Sequence, residues 1–386
     1  MRHINDSTYR IPYVIWLLLI IVTSAFGLSG CSQELDGSLH EGADHSLNRI
    51  KEAPGPSFLG AEIIPIEIGE QEEFYKSSGW LSDSEILYVS NKGENSSFLY
   101  SYNLGTGKET LLYRSANPII TAVPSPEKTK VLIHSAASEE GILTIIDLSG
   151  KELYSTSIQS YELTFEWNPF DENLLVISAF TDEWDFSSYL LDLRENNLEE
   201  LNLPEPFVRW ISESMLVYQE WDEDGISLKA PLRSVSLKGN KAEILLEEVY
   251  QFDSIGSYLM TVKVNEEENQ ELGLYTFFRD GDKSIATITA PLLTSFSGWV
   301  VPFYDLMENG KGFIYLQATE QGEADIYDGT FNLMRYHLDT SKEEVLFTEM
   351  ANEPLSCSPS GGMCLYGFQF EKILNIETNE IIDLVH

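Results

Sequence analysis

The chain of 386 residues contains little cysteine, little histidine and few basic side chains. It has three Cys, six His and 24 Lys or Arg residues against 62 Asp or Glu, which gives a formal net charge of −38. Attraction between basic side chains and phosphate dominates nucleic-acid binding, so this balance excludes nucleic acid as a partner. An anionic membrane surface would also repel the body of the protein, and any attachment to a membrane must come from another source. The low number of cysteines is compatible with an exported protein.

Long apolar runs are also rare, and the clearest one lies near the N-terminus. Residues 14–27 are apolar and follow a short polar region that contains Arg2 and Arg10. This run is shorter than a transmembrane helix requires and has the length of a signal-peptide core. The tetrapeptide Leu28-Ser29-Gly30-Cys31 that follows resembles the bacterial lipobox. The resemblance implies that residues 1–30 are a lipoprotein signal peptide and that Cys31 is diacylated, becomes the new N-terminus and anchors the chain in a membrane.

Residues 31–60 are polar, include a Pro-Gly-Pro sequence and show no apolar period. This composition predicts a flexible tether between the lipid on Cys31 and the folded domain. The remaining segment, residues 61–386, is long enough for one large core. We therefore expect a domain over 61–386, carried outside the cytoplasm on the cell membrane.

Within that domain, one pattern recurs seven times: an alternating strand, a polar turn, then a second strand. The residues that precede the turns are Leu104, Leu148, Leu193, Leu237, Phe278, Leu338 and Ile376. Their mean spacing is about 45 residues, the length of a four-stranded propeller blade. Strands around Gly, Asn and Asp turns exclude a helical repeat. The sequence therefore predicts an all-β propeller, with seven four-stranded blades favoured and six still open.

A turn followed by a strand recurs upstream of each marker, most clearly at WNPFDENLLVIS (167–178) and CSPSGGMCLYGF (357–368). These segments resemble the repeat signature of TolB-like propellers. With the lipobox and the acidic composition, the chain resembles the YqgU-like propeller lipoproteins of Gram-positive bacteria. That resemblance implies six blades and specifies a fold without an activity. Trp80, Trp167 and Trp210 occupy equivalent repeat positions, and we expect them to pack between blades.

If each blade runs through strands A, B, C and D, its B–C loop lies on the same face as the D–A loops. The predicted B–C loops contain 18 acidic residues in 46 positions, with Lys92 as their single base. Two adjacent loops place a tryptophan among the acids. These candidate binding residues are Asp182, Trp184 and Asp185 in one loop, and Glu220, Trp221, Asp222 and Asp224 in the next. Such a face suits a cationic segment or a sugar ring. Acidity for solubility alone, with both indoles folded onto blade edges, remains the alternative.

The sequence offers no convincing catalytic constellation. His134 and His337 lie in distant repeats and form no HExxH-type pair, and no G-x-S-x-G elbow lies between a strand and a helix. The segment Asp222–Gly225 is too short for an EF-hand, although clustered carboxylates could hold Ca²⁺ weakly. We predict no cofactor and no enzymatic activity. The expected function is binding or scaffolding of a protein or peptide partner in the cell envelope, and the alternative is a propeller hydrolase or lyase acting on a cell-wall glycan or exported peptide.

The last two cysteines, Cys357 and Cys364, flank the A–B turn of the final repeat. Directly opposed residues of antiparallel strands are close enough for a disulfide. Two buried thiols at core positions are the other arrangement compatible with this spacing. The final repeat is also where the ring must close, and we expect it to pair with an early strand such as Glu62 to Ile68.

Overall fold

The fold is taken from a computed structural model, which describes residues 62–93, 96–222, 227–237, 239–265, 272–279, 283–307, 310 and 312–385. Apart from a 3₁₀ turn at Ala324–Ile326, the regular elements in these ranges are β-strands. Within the same ranges, no helix is long and apolar enough to cross a membrane. The predicted signal segment, the predicted tether with Cys31, and Asp224 lie outside the described residues.

Seven antiparallel sheets make up the domain, and each is built from four consecutive strands. The first four sheets consist of β1 (Glu73–Ser82), β2 (Glu85–Asn91), β3 (Ser97–Asn103) and β4 (Lys108–Ser115); β5 (Ile119–Pro124), β6 (Lys130–Ala137), β7 (Glu140–Asp147) and β8 (Glu152–Gln159); β9 (Glu162–Trp167), β10 (Leu174–Phe180), β11 (Phe186–Asp192) and β12 (Asn197–Leu201); and β13 (Arg209–Ser212), β14 (Met215–Gln219), β15 (Ala230–Ser236) and β16 (Gly239–Val249).

The remaining strands form three further sheets and one hairpin. They are β17 (Gln251–Ile255), β18 (Tyr258–Val264), β19 (Leu272–Arg279) and β20 (Lys283–Pro291); the hairpin β21 (Leu293–Ser295) and β22 (Gly298–Val300); β23 (Tyr304–Leu306), β24 (Gly312–Ala318), β25 (Phe331–His337) and β26 (Lys342–Met350); and β27 (Leu355–Cys357), β28 (Met363–Tyr366), β29 (Lys372–Asn375) and β30 (Glu380–Asp383). The predicted all-β propeller is confirmed, and the structure has the seven blades that the repeat count favoured.

The position of each strand in its sheet follows from its sequence. The second strands, such as β2 (EILYVSN) and β6 (KVLIHSAA), contain a continuous apolar run of three or four residues and are mostly buried. A strand covered on both faces needs such a continuous apolar run. The fourth strands, such as β4 and β8, are mostly exposed. First strands of neighbouring sheets, including β1 with β5 and β13 with β17, contact each other. They therefore form the inner wall of the propeller around its central channel.

The hairpin β21–β22 between the fifth and sixth sheets was not predicted. It packs against the B–C loop of the sixth sheet, where the Thr294 amide donates to the Gly322 carbonyl oxygen at 2.9 Å. The sequence contains a signal for it, because 60 positions separate the markers Phe278 and Leu338, well above the mean spacing. That excess length corresponds to the insertion.

The three repeat tryptophans lie between sheets, as predicted, and all three are buried. The indole nitrogen of Trp210 donates to the main-chain oxygen of Glu166 in the preceding sheet at 3.2 Å. In the same way, the indole of Trp80 in the first sheet donates to the oxygen of Ser356 in the last sheet at 2.8 Å. Each of these two side chains therefore fills the apolar space between two sheets and joins them through a hydrogen bond.

Among the described residues, no strand is shared between the first and last sheets where the ring closes. Ile66 forms an isolated parallel bridge with Val385, and its amide donates to the Leu384 oxygen at 2.7 Å. The predicted pairing of residues 62–68 with the last sheet is thus limited to this bridge. Pro65 has no N–H to extend a ladder, and the Ile64 amide donates instead to Leu104 of the first sheet at 2.8 Å. This segment therefore ties the two sheets together at their outer edges.

Cys357 and Cys364 are register partners on β27 and β28, and a disulfide joins them in the structure. We predict that the mature protein contains this bond. Alkylation under denaturing, non-reducing conditions should then leave both residues unmodified in mass spectrometry, with Cys31 excluded from the count. Two alkylated cysteines would show that these residues are buried thiols. Because the closed loop is short, replacing both with Ser should lower the unfolding free energy by only about 2–3 kcal/mol.

Candidate functional site

The meander order of every sheet places the B–C and D–A loops at one end of the propeller, here called the B–C face. At the third sheet, the amide of Tyr161 in a D–A loop donates to the oxygen of Phe180 at 2.7 Å, where the B–C loop begins. Residues from both kinds of loop therefore meet on this face. It carries the residues that the sequence marked as a binding surface.

Trp184 is presented to solvent by a tight turn. The Trp184 amide donates to the Thr181 oxygen at 3.1 Å, and the Thr181 amide donates to the Asp185 oxygen at 2.8 Å. Trp184 adopts a φ of 69°, a left-handed conformation that is rare for a bulky residue. Its indole is 63% exposed and meets the Phe180 ring edge-on at 6.1 Å. A strained backbone that holds an apolar side chain in water indicates a contact role.

Trp221 lies in the B–C loop of the fourth sheet and is 43% exposed. Its amide donates to the Glu205 carboxylate at 3.2 Å. The neighbouring Glu220 forms an ion pair with Arg233 at 2.6 Å, which orients the start of the loop. Asp222 follows Trp221 directly, whereas Asp224 lies outside the described residues.

Two further exposed aromatic side chains belong to this surface and were missed in the sequence. Tyr161 and Phe207 lie in the D–A loops that flank the third sheet, and both are more than half exposed. The Phe207 ring stacks on Phe180 at 5.6 Å, so Phe180 supports both Phe207 and Trp184. Tyr161, Trp184, Phe207 and Trp221 are called the aromatic patch below. Placing D–A loops beside B–C loops would have identified the two missing members.

A groove of about 660 Å³ adjoins the aromatic patch between the second and third sheets. Glu139, Asp182 and the Tyr161 ring line it. Carboxylates beside exposed rings attract cations both by charge and through the negative faces of the rings. Chemically, this part of the B–C face suits a Lys- or Arg-bearing segment.

A second cluster of charged residues lies on the channel wall. Arg209 of β13 contacts Glu166 of β9 at 3.2 Å and Asp253 of β17 at 2.8 Å. The hydroxyl of Tyr304 on β23 lies 3.4 Å from Asp253. Four adjacent first strands thus contribute one cation, two carboxylates and one phenol.

Burial raises the pKa of Glu166 to about 7, against the opposing effect of the Arg209 guanidinium and with a further rise from the Asp253 carboxylate. Burial likewise raises the pKa of Tyr304, so its phenol remains protonated. His134 lies outside this cluster, on β6, and burial lowers its pKa to about 4. Among the described residues, no three His, Cys, Asp or Glu side chains are grouped as metal ligands.

Comparison with known proteins agrees with this architecture. A family described as "YqgU-like 6-bladed beta propeller domain" matches residues 103–367. The uncharacterized lipoprotein YqgU of Bacillus subtilis (strain 168) is 25% identical over 367 residues, covering 95% of this chain and 96% of its own.

Two solved structures show similarity of fold alone. An uncharacterized protein of Listeria monocytogenes EGD-e, lmo1340, has a TM-score of 0.76 at 20% identity and covers 84% of this chain and 98% of its own. Oligogalacturonate lyase of Vibrio parahaemolyticus has a TM-score of 0.56 at 12% identity, with coverages of 79% and 87%. The family is described with six blades, whereas this chain has seven four-stranded sheets. Since the family match spans more than half of the sequence, the chain belongs to the YqgU-like beta propeller family.

Proposed function

We propose that this protein is a membrane-anchored, extracytoplasmic lipoprotein whose propeller binds or scaffolds a cell-envelope partner through its B–C face. Anchoring rests on the lipobox that ends at Cys31, and the similar Bacillus protein is itself described as a lipoprotein. Two acyl chains on one cysteine hold a protein stably at a membrane. The partner is a protein or peptide that presents basic side chains.

The observation that carries the binding function is the aromatic patch, with its four exposed rings among carboxylates. Acidity for solubility requires charge but no exposed indoles, because apolar rings in water gain nothing from charged neighbours. The Trp184 indole is 63% exposed and meets the sheet at the edge of the Phe180 ring. Rigid aromatic side chains next to charges are typical of residues that dominate binding energy at interfaces.

Site-specific photo-crosslinking tests this function in living cells. A crosslinking residue at position 184 should give a discrete adduct with one envelope protein, and Trp221→Ala with Asp182→Asn and Asp222→Asn should abolish that adduct. Position 368 is the matched control, because Phe368 is equally exposed on the same face but belongs to the last sheet. Survival of the adduct in the triple variant, or the same adduct from position 368, would contradict binding through the aromatic patch. The melting temperature should hardly change, because loop tips contribute little to the core.

Anchoring gives a separate prediction. Cys31→Ala should abolish metabolic labelling with a fatty-acid analogue and leave the signal segment uncleaved, because the acylated thiol is lost. Cys357→Ala serves as the control and should keep the label. A labelled Cys31→Ala variant would refute lipid attachment at this residue.

A propeller hydrolase or lyase is the second candidate. The channel cluster favours it, because Glu166 with a pKa of about 7 could act as a general acid near neutral pH. Against it, Arg209 is occupied by both carboxylates, which satisfies them as an ion-pair network. Turnover of a cell-wall glycan or exported peptide by the wild-type protein that disappears in Glu166→Gln would establish the enzyme instead.

A further inference from the structure

The inserted hairpin β21–β22 lies on the B–C face, because it belongs to the D–A connection between the fifth and sixth sheets. Hydrogen bonds hold both of its strands. The Thr294 amide donates to the Gly322 oxygen in the B–C loop of the sixth sheet at 2.9 Å. The Trp299 amide donates at 3.0 Å to the hydroxyl of Tyr250, which lies between the fourth and fifth sheets. The turn of the hairpin is therefore presented in a defined position.

Three exposed apolar side chains belong to the hairpin and to the two loops that pack against it. Phe296 in the turn is fully exposed, and Ile326, which is 75% exposed, lies in the 3₁₀ turn that contacts β21. Leu228 is also exposed and lies in the B–C loop of the fourth sheet, against Gly298 of the hairpin. Leu228, Phe296 and Ile326 are called the hairpin patch below. Single exposed apolar residues are ordinary, whereas a group from three separate elements indicates a contact surface.

The hairpin also lies in an uncharged part of the chain. No Asp, Glu, Lys or Arg occurs between Lys283 and Asp305, although these four types make up 22% of the sequence. An exposed turn that serves only solubility would carry charge, as the neighbouring loops do. A turn that loses water on binding has to avoid charge, because an unpaired charge is costly to bury. The composition of the hairpin therefore fits a contact that excludes water.

The charges around the hairpin patch determine what can cover it. An anionic membrane surface would be repelled by the adjacent carboxylates, and a second copy of the chain would bring its own net charge of −38. A complementary surface offers an apolar pocket surrounded by basic side chains. The B–C loop of the sixth sheet contributes four exposed carboxylates next to the patch: Glu320, Glu323, Asp325 and Asp328.

We propose that the hairpin patch is a second contact for the partner of the aromatic patch, and that this partner is a folded protein with a basic-rimmed apolar pocket for Phe296. This inference rests on the function proposed above. One loop connects the two patches, since Trp221 and Leu228 both lie between β14 and β15. A linear basic peptide would suit the aromatic patch but offers no pocket for a side chain. The hairpin backbone is ordered before binding, which lowers the entropic cost of the contact.

Photo-crosslinking in living cells, with the full chain, tests this inference. A crosslinking residue at position 296 should capture the same envelope protein as one at position 184. Mass spectrometry of the digested adducts should locate the two crosslinks in segments of the partner that are distant in its sequence. Position 148 is the control and should not capture this protein, because Leu148 is an exposed apolar residue in a C–D turn at the opposite face.

Phe296→Asp should lower the yield of the adduct from position 184 about tenfold, since a buried aromatic contact at an interface commonly contributes at least that factor. Leu148→Asp introduces the same charge at the opposite face and should leave the yield unchanged. Both variants should keep the melting temperature of the wild-type protein, because each substitution replaces an exposed side chain.

The possible failures are distinguishable. An adduct from position 184 without one from position 296, or with full yield in Phe296→Asp, would overturn the hairpin contact and leave the proposed function in place. Capture of lipid, of a second copy of the chain or of a different protein at position 296 would also overturn it, as would two crosslinks within one short segment of the partner. No adduct from either position would refute the proposed function together with this inference.

Discussion

Trp210→Ala is expected to lower the unfolding free energy by about 3–5 kcal/mol, the usual cost of removing a buried aromatic side chain. Trp210 is fully buried between the third and fourth sheets, where it packs against Val176 and Leu216. The substitution leaves a large cavity and removes the donor to the Glu166 main-chain oxygen. Urea unfolding followed by circular dichroism would measure the loss.

Trp221→Ala is the matched control, because it deletes the same side chain from a loop at the end of the same sheet. Since this indole is exposed, its removal should change the unfolding free energy by no more than about 0.5 kcal/mol. Equal losses in the two variants would show that Trp210 does not join the sheets in the manner described.

Arg209→Ala is expected to destabilise the protein most strongly above neutral pH. The substitution leaves the Glu166 and Asp253 carboxylates without their shared cation, and breaking a buried pair in this way costs about 3–5 kcal/mol. We expect a smaller loss of about 2–3 kcal/mol here, because the Arg209 side chain is 37% exposed and solvent screens the pair.

The pH dependence follows from the raised pKa of Glu166. Below its ordinary value of 4.5 the group is protonated in both the folded and unfolded states, and above about 7 it is ionised in both. The folded state therefore binds more protons between these values, so the wild-type protein loses stability as the pH rises through this window. Without Arg209 the folded pKa rises further, and the deficit of the variant should be largest above pH 7 and shrink towards pH 4.5.

Adding Glu166→Gln to Arg209→Ala provides the test of this cause. The double variant should recover part of the stability at high pH and show a flatter profile between pH 4.5 and 7, as a non-additive double-mutant cycle. A deficit independent of pH, or no recovery in the double variant, would mean that the lost packing of the arginine stem accounts for the effect.

The sequence predicted the sheets well because each blade is formed by one continuous stretch of the chain. Four consecutive strands with apolar second strands and polar fourth strands repeat at a regular spacing, and the tryptophans at equivalent positions mark the contacts between sheets. Relations across sheets were less visible. Glu166, Arg209 and Asp253 are ordinary acids and bases in three separate repeats, and their grouping depends on how the first strands face one another around the channel.

The sequence revealed only two of the four aromatic residues of the candidate surface, because the other two join it from separate loops. Trp184 and Trp221 stood out because acids surround them in the chain, whereas Tyr161 and Phe207 join the patch from D–A loops with ordinary composition. The buried indole nitrogen of Trp167, which has no hydrogen-bond partner among the described residues, was hidden as well. Its sequence context matches that of Trp210, and only the neighbouring sheet decides whether an acceptor is present.

Closure without a shared strand also bears on how such propellers evolve. Among the described residues, every strand pairs only with strands of its own repeat. The first and last sheets meet through side chains, a single bridge and a main-chain hydrogen bond from the Ser77 amide to the Gln369 oxygen. Duplication or deletion of one whole repeat in the gene therefore leaves the strand pairing within every remaining sheet intact. It requires only that the first and last sheets meet at a different angle. A family described with six blades can on this basis include a member with seven, without any change in the path of the chain within a blade.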